Sequence, residues 1–319
     1  PMTQAGKFTP PQPLKTSVLF LVFNRVETTK QVFEAIRQAK PPRLYVAADG
    51  PRATKEGEAE KVKTVRDYVM QNIDWECEVR TLFREENLGC KYAVSGAVTW
   101  FFESEEQGII LEDDCLPSQS FFWYCETLLD SYKNDQSVYL VSGDSRASES
   151  FGMIEDYGFC KYPMIWGWAS WRRVWDNYDP ELNDWPNQRD ELPKKVSLHS
   201  PTVKFWANIF DRMYKREIDT WDYQLCYLLL RYGGRCIVPK VNLISNIGFG
   251  DDATHTFNSR SAAANRERLE LALPLSHDTN LASEQKINDF YDKNVFSATP
   301  FIMRVFNKFS RFIIGRNVL

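Results

Sequence analysis

From residue 15 to residue 144 short apolar runs alternate with amphipathic stretches, and each run stops on charged or amide side chains. Lys15 to Phe23 is almost continuously apolar and ends at Asn24-Arg25, the pattern of a strand covered on both faces. Glu27 to Ala39 carries Val32, Phe33, Ile36 and Ala39 at helical spacing and is stopped by Pro41-Pro42. Leu44 to Ala48 reads as a second strand ending at Asp49-Gly50, and Glu58 to Asn72 as a charged helix. Glu76 to Phe83 partly alternates, as a half-exposed strand does, and ends at Arg84; Gly89 to Phe102 is helical again. An aromatic-rich helix over Ser118 to Tyr132 precedes a strand, Val138 to Val141, that ends at Gly143-Asp144. This order predicts an α/β fold, a mostly parallel sheet with crossover helices. In such sheets ligands lie outside the carboxyl ends of the strands. Asn24, Arg25, Asp49, Arg84, Asn87, Asp113, Asp114 and Asp144 are therefore expected to face one crevice.

One strand end stands out. Gly108-Ile109-Ile110-Leu111 runs straight into Glu112-Asp113-Asp114-Cys115. Burying carboxylates is costly unless a cation or donors compensate them. Oxygen ligands with no paired His or Cys suit Mg²⁺ or Mn²⁺. A cation-coordinating acid cluster beside Arg25 and Arg84 is what a nucleoside diphosphate requires; the plainer reading is a strand followed by an acidic turn. Neither GxGxxG nor GxxxxGK[ST] occurs, which disfavours nicotinamide and P-loop sites. The net charge of −4 argues against nucleic acid as a partner. Seven scattered cysteines form no CxxC pair, so a reducing cytoplasm is the expected setting. No apolar run suggests a signal peptide or a membrane span. Pro1 to Pro13, proline-rich, reads as a cleavage remnant and flexible lead-in.

Beyond Asp144 the character changes. Tyr162 to Trp175 holds four of the ten tryptophans, Trp166, Trp168, Trp171 and Trp175, followed or interleaved by Arg172 and Arg173. Aromatic faces suit sugar rings and arginines suit phosphate, while the plain alternative is that these rings fill core. Residues 176–198 read as an irregular connection. Ser200-Pro201 opens a helix to about Glu217. A second helix, Trp221 to Tyr232, is ended by Gly233-Gly234 and places Asp222 in its first turn, where an ionised carboxylate is favoured. An Asp there is also a common capping charge. Cys236 to Pro239 and Val241 to Ile244 form one or two short strands, and Gly248 to His255 is a glycine-punctuated loop. Phe301 to Leu319 sets apolar residues at helical spacing among Arg304, Lys308, Arg311 and Arg316 with no acid. That is either a basic amphipathic helix lying on an anionic bilayer or a terminal helix docked on the domain.

In this order the features resemble the nucleotide-sugar glycosyltransferases of the GT-A fold, and among them the inverting family typified by N-acetylglucosaminyltransferase I. The resemblance spans about residues 17–256. It rests on Asn87-Leu88-Gly89, the Glu112-Asp113-Asp114 strand end, and Trp221-Asp222 followed by Gly233-Gly234-Arg235-Cys236-Ile237-Val238-Pro239. Bacterial members of the superfamily carry a run similar to Trp166-Gly167-Trp168-Ala169-Ser170-Trp171. The resemblance implies a GT-A domain over 15–280, divided into a nucleotide-sugar half (15–144) and an acceptor and catalytic half (145–280), with a helical tail over 281–319. Asp114, aided by His255, is implied as ligand to Mn²⁺ (or Mg²⁺). Asn24, Arg25, Asp49, Lys91, Glu112, Asp113 and Asp144 are implied on the donor, with Asp49 on uracil. Asp222 is implied as general base, and Trp166, Trp168, Trp221 and Arg172 on the acceptor sugar. The expected activity is inverting transfer from a nucleoside-diphosphate sugar, a UDP-sugar foremost, to a glycan or lipid-linked glycan in bacterial surface-glycan synthesis. The expected place is the cytoplasm, peripheral on the inner face of the membrane. The competing readings are a sugar nucleotidyltransferase and an inactive glycosyltransferase-like binding module.

Overall fold

The computed structural model describes residues 8–145, 153, 155–248, 265–276 and 281–297. His255 and the helix expected over 301–319 lie outside these residues. Among the described residues, an eight-stranded sheet runs in the order β3-β2-β1-β4-β8-β6-β9-β7. Its strands are β1 (Val18–Val22), β2 (Arg43–Ala48), β3 (Glu78–Phe83), β4 (Gln107–Glu112), β6 (Val138–Ser142), β7 (Tyr157–Cys160), β8 (Trp168–Trp171) and β9 (Arg235–Pro239). A separate ribbon pairs β5 (Cys115–Pro117) with β10 (Ile244–Asn246). Six of the eight strands run one way, and β7 and β8 run against them. The expected α/β architecture with a mostly parallel sheet is thus present.

The covering helices are α1 (Val26–Ala39), α2 (Glu58–Gln71), α3 (Gly89–Ser104), α4 (Ser120–Tyr132), α5 (Ser200–Tyr214), α6 (Asp222–Tyr232) and α7 (Leu281–Asn294). β1 is buried at all five positions because helices cover both faces of the sheet, which explains its unbroken apolar run. α1 turns Val32, Phe33, Ile36 and Ala39 inward, as their spacing predicts. Gly233 (φ +69°) closes α6 in the left-handed conformation that glycine adopts without strain.

Two features differ from the sequence expectation. The tryptophan-rich run is not an open aromatic platform: it forms β8, inserted antiparallel between β4 and β6. All four of its residues are buried. Within residues 176–198, short helical turns at Trp185–Gln188 and Leu192–Val196 replace a wholly irregular connection.

Both ends of the described chain also pack. Phe8 lies 5.5 Å from Trp123 of α4. Glu126 of α4 accepts bonds from the amides of Lys15 (2.7 Å) and Thr16 (2.9 Å) as the chain enters β1. Residues 8–14, read from sequence as a flexible lead-in, are therefore held on α4. α7 is held through Asp292, which accepts Lys161 Nζ (2.9 Å), Tyr162 Oη (2.5 Å) and Ser197 Oγ (2.6 Å). Among the described residues no helix is long and apolar enough to cross a membrane.

Candidate functional site

β1, β2, β3 and β4 are parallel and in register, so the residues after them emerge at one sheet edge. A cavity of about 540 Å³ opens there, within the range of small-molecule sites. Arg25, Asp49, Arg84, Asn87, Glu112, Asp113 and Asp114 line it, as the strand-end rule predicts. Asp222, Trp221 and Trp166, from the second half of the chain, close the other side.

The acid cluster is built around one guanidinium. Arg25 Nη2 stands 2.8 Å from Asp113 Oδ1 and 3.1 Å from Asp114 Oδ2, and the Phe23 amide donates to Asp113 Oδ2 at 3.2 Å. Burial, reinforced by the charges of Asp114 and Asp113 and partly offset by Arg25, pushes Glu112 up to about 8. Asp113 is pushed up to about 6, again by burial first, with Arg25 opposing. Three carboxylates share one close cation, and Glu112 and Asp113 hold their protons more tightly than free carboxylates do. That electrostatic deficit is what a divalent cation relieves. Among the described residues no group of three or more His, Cys, Asp or Glu forms a ready-made metal cage. Such a carboxylate cluster would suit a metal that takes one or two protein carboxylates and completes its shell with phosphate and water, the habit of Mg²⁺ in nucleotide sites.

The β10 ribbon presses against this cluster. Ile247 donates its amide to the Asp114 carbonyl at 2.8 Å, which brings Gly248 over the carboxylate. A Cβ at Gly248 would fall 2.3 Å from Asp114 Oδ2 and 2.6 Å from Arg25 Nη1. Gly248→Ala is therefore expected to disturb the Arg25–Asp114 pair. The expected result is nucleotide affinity weakened about tenfold or more, read by calorimetric titration, at a melting temperature within a few degrees of the parent.

Asp222 is the first residue of α6. Thr220 Oγ1 (2.5 Å) and the Tyr223 amide (2.9 Å) both donate to its Oδ1. Behind it, Trp221 stacks on Trp168 (5.6 Å, 21°), Trp168 leans on Trp175 (6.1 Å), and Trp175 stacks on Tyr178 (4.1 Å, 10°). Tyr178 Oη then donates to the Trp221 carbonyl at 2.9 Å, closing the ring of contacts. Trp168 and Trp221 are both at most 2 % exposed. Trp168 stands behind the lining and offers no sugar platform; Trp221, though buried, and the half-buried Trp166 line the cavity.

Several sequence-predicted residues are placed elsewhere. Arg172 follows β8, which runs antiparallel to β4, so it lands by the start of β4 and donates to the Phe102 carbonyl at 2.5 Å. Lys91 is buried against Glu181 at 2.8 Å and is outside the cavity lining. Asn24 turns away to donate to Glu58 Oε1 at 2.9 Å, and Glu58 also pairs with the cavity residue Arg52. Asp144 is buried beside Arg266 (3.7 Å) and likewise does not line the cavity.

Asp49 reaches the cavity, but its carboxylate is heavily used. Oδ1 accepts the amides of Gly50 and Leu88 (both 3.0 Å). Oδ2 accepts Asn87 Nδ2 (2.9 Å), Leu88 (3.1 Å) and Gly89 (3.2 Å). Sequence reasoning missed the residue that completes this arrangement, Asp219. Its Oδ2 accepts the Cys90 amide (3.1 Å) and its Oδ1 the Lys91 amide (2.9 Å). Two carboxylates from opposite halves of the chain thus satisfy the four unpaired amides at the start of α3. The residue at the cap position is Leu88, whose side chain accepts nothing, and that is the signal in the sequence that a cap must arrive from elsewhere.

No family model matches the chain, and no curated protein does. Among solved structures, residues 1–349 of TarS from S. aureus align at a TM-score of 0.37, with 11% identity over 68% of this chain and 69% of that one. UDP-glucose pyrophosphorylase complexed with UDP-glucose aligns at 0.36, with 9% identity over 71% and 90%. CMP:2-keto-3-deoxy-manno-octonic acid synthetase complexed with CTP aligns at 0.34, with 13% identity over 70% and 89%. Likeness at this level assigns neither family nor activity, and the narrower likeness to the N-acetylglucosaminyltransferase I family finds no support in it.

Proposed function

We propose that the chain is an inverting glycosyltransferase of GT-A type that moves a sugar from a nucleoside-diphosphate donor, a UDP-sugar, to an acceptor hydroxyl. The observation that carries the reading is one cavity holding two separate acidic stations. One is the Glu112-Asp113-Asp114 cluster gathered on Arg25; the other is Asp222, from a different half of the chain, with Oδ1 occupied by two donors. Such a pair suits a single displacement. The acceptor oxygen bonds to the anomeric carbon, its proton passes to Asp222 Oδ2, and the bond to the diphosphate oxygen breaks with its electron pair leaving on the diphosphate. Arg25 would meet the charge on the leaving group, with Asp114 as the carboxylate that would hold a divalent cation and Glu112 and Asp113 toward the donor. When bound, such a cation supplies Lewis-acid neutralisation of the diphosphate. Asp49, its lone pairs already taken by the 87–89 turn, acts here by shaping the donor pocket more than by reading the base.

On this reading residues 15–144 hold the donor, while 145–280 supply the base and the acceptor side, with Trp166 as the half-buried aromatic that meets the acceptor. A glycan or lipid-linked glycan of bacterial surface-glycan synthesis is the acceptor class proposed. The test is an incubation of the protein with a panel of nucleotide sugars and Mn²⁺, following free nucleoside diphosphate. Release of UDP from one or more UDP-sugars is expected. Release of pyrophosphate from a nucleoside triphosphate and sugar phosphate, with no hydrolysis or transfer from any nucleotide sugar, would replace this reading with nucleotidyl transfer.

A further inference from the structure

We propose that Asp219 is a positioning residue that locks the first turn of α3 to the first turn of α6 and so fixes where Asp222 stands. The consequence for catalysis rests on the transferase reading; the lock itself does not.

The argument begins with α3. Its first amides lack any side-chain acceptor from Leu88, and an uncapped helix start beside a cavity leaves donors that must be met by water or by other residues. They are divided evenly. Leu88 and Gly89 donate to Asp49, which follows β2 in the same half of the chain. Cys90 and Lys91 donate to Asp219, which lies in the loop before α6 and more than a hundred residues away. One short run of backbone is thereby pinned from both sides of the cavity.

Asp219 precedes Asp222 by three residues, and each residue between is also held. The Thr220 carbonyl accepts Gln224 Nε2 at 2.8 Å while its hydroxyl holds Asp222. The Trp221 carbonyl accepts Tyr178 and its ring stacks on Trp168. With 220–222 this rigid, a displacement of Asp219 is transmitted to Asp222 instead of being absorbed. Gly89 shows that the contact is tight from the other side. It sits at φ +77°, and a Cβ there would lie 2.7 Å from Asp219 Oδ2. The missing side chain at Gly89 is the space the Asp219 carboxylate occupies.

The test approaches the contact from both partners. Asp219→Asn keeps the shape but turns one acceptor into a donor facing an amide; Gly89→Ala drives a methyl toward the carboxylate. Each is expected to lower kcat by about tenfold to about a hundredfold, the scale of a misplacement near 1 Å, while donor KM stays within about twofold. The double variant should lose less than the sum of the two single losses, because both touch the Asp219 contact, while Ala at φ +77° adds a backbone strain of its own. Independently of turnover, hydrogen exchange in Asp219→Asn should accelerate at the amides of residues 220–224 as well as at 88–91. Faster exchange confined to 88–91, or a fall in kcat that only tracks lost folded protein, would overturn the lock. If the parent chain turns over no donor, the transferase reading fails and the exchange pattern alone decides the positioning claim. Should Asp219→Asn prove unfolded, Gly89→Ala still carries the test of kcat and of exchange at 220–224.

Discussion

Asp222→Asn is expected to reduce sugar transfer by about 10²–10⁴-fold while leaving nucleotide binding unchanged. The substitution is chosen because it keeps what holds the side chain in place. Oδ1 accepts both local bonds, from Thr220 Oγ1 and the Tyr223 amide, and the Asn carbonyl oxygen can keep both. What is lost is the second carboxylate oxygen, the one the proposed step uses to take the acceptor proton. The acid cluster and Arg25, which would hold the donor, rest on different strands and are not touched. Turnover and nucleotide affinity should therefore separate, with affinity read by titration of UDP and turnover by release of UDP from the best donor. Equal losses in both would mean that Asp222 serves binding. Turnover close to that of the parent would remove it from the role of base and leave the transferase reading without its central residue.

Much of this site was legible before any coordinates, for a reason specific to the first half of the chain. β1, β2, β3 and β4 are consecutive runs that are parallel and in register, so the residue that ends each run also marks one edge of the sheet. Arg25, Asp49, Arg84, Asn87 and Asp114 could thus be grouped from order alone. The failures come from what order does not encode. β8 is paired with β4 and β6, both distant in sequence, and its direction is reversed, so the same strand that sends Trp168 toward the site end of the sheet sends Arg172 to the other. The tryptophans read correctly as possible core but not as a wall behind Asp222, since stacking of Trp168 on Trp221 depends on a long-range approach. Asn24 illustrates a smaller limit: next to two cavity residues, it points away to Glu58. Asp219 was not legible because its partners are backbone amides: Leu88 at the cap position signals that an acceptor must come from elsewhere, but not from which residue.

Asp114→Ala tests the other station, and its expected result is loss of the cation-dependent part of donor affinity together with a fall in turnover on the order of a hundredfold or more. The expectation follows from charge. Glu112, Asp113 and Asp114 converge where Arg25 is the close cation, and burial already raises Glu112 and Asp113 toward neutral pH. Bringing a diphosphate into that setting adds negative charge that one guanidinium meets poorly, so an added divalent cation should strengthen UDP binding in the parent and not in the variant. Binding measured with Mn²⁺, with Mg²⁺ and in excess chelator separates the cases. If the parent binds and turns over donor equally well in chelator, and Asp114→Ala changes neither, the leaving group is neutralised by protein alone. The choice of cation then narrows sharply. Arg172 is spent on the Phe102 carbonyl by the start of β4. Arg173 donates to the carbonyls of Tyr132, Asp135 and Val138 at the far end of α4. Arg84 and Arg52 also line the cavity, but Arg84 already donates to the Ala93 carbonyl and Arg52 is paired with Glu58. Arg25 remains, already between the two aspartates, and in a metal-free reaction Arg25→Lys would cost more than Asp114→Ala, because a single ammonium cannot bridge both carboxylates and the diphosphate as a guanidinium can.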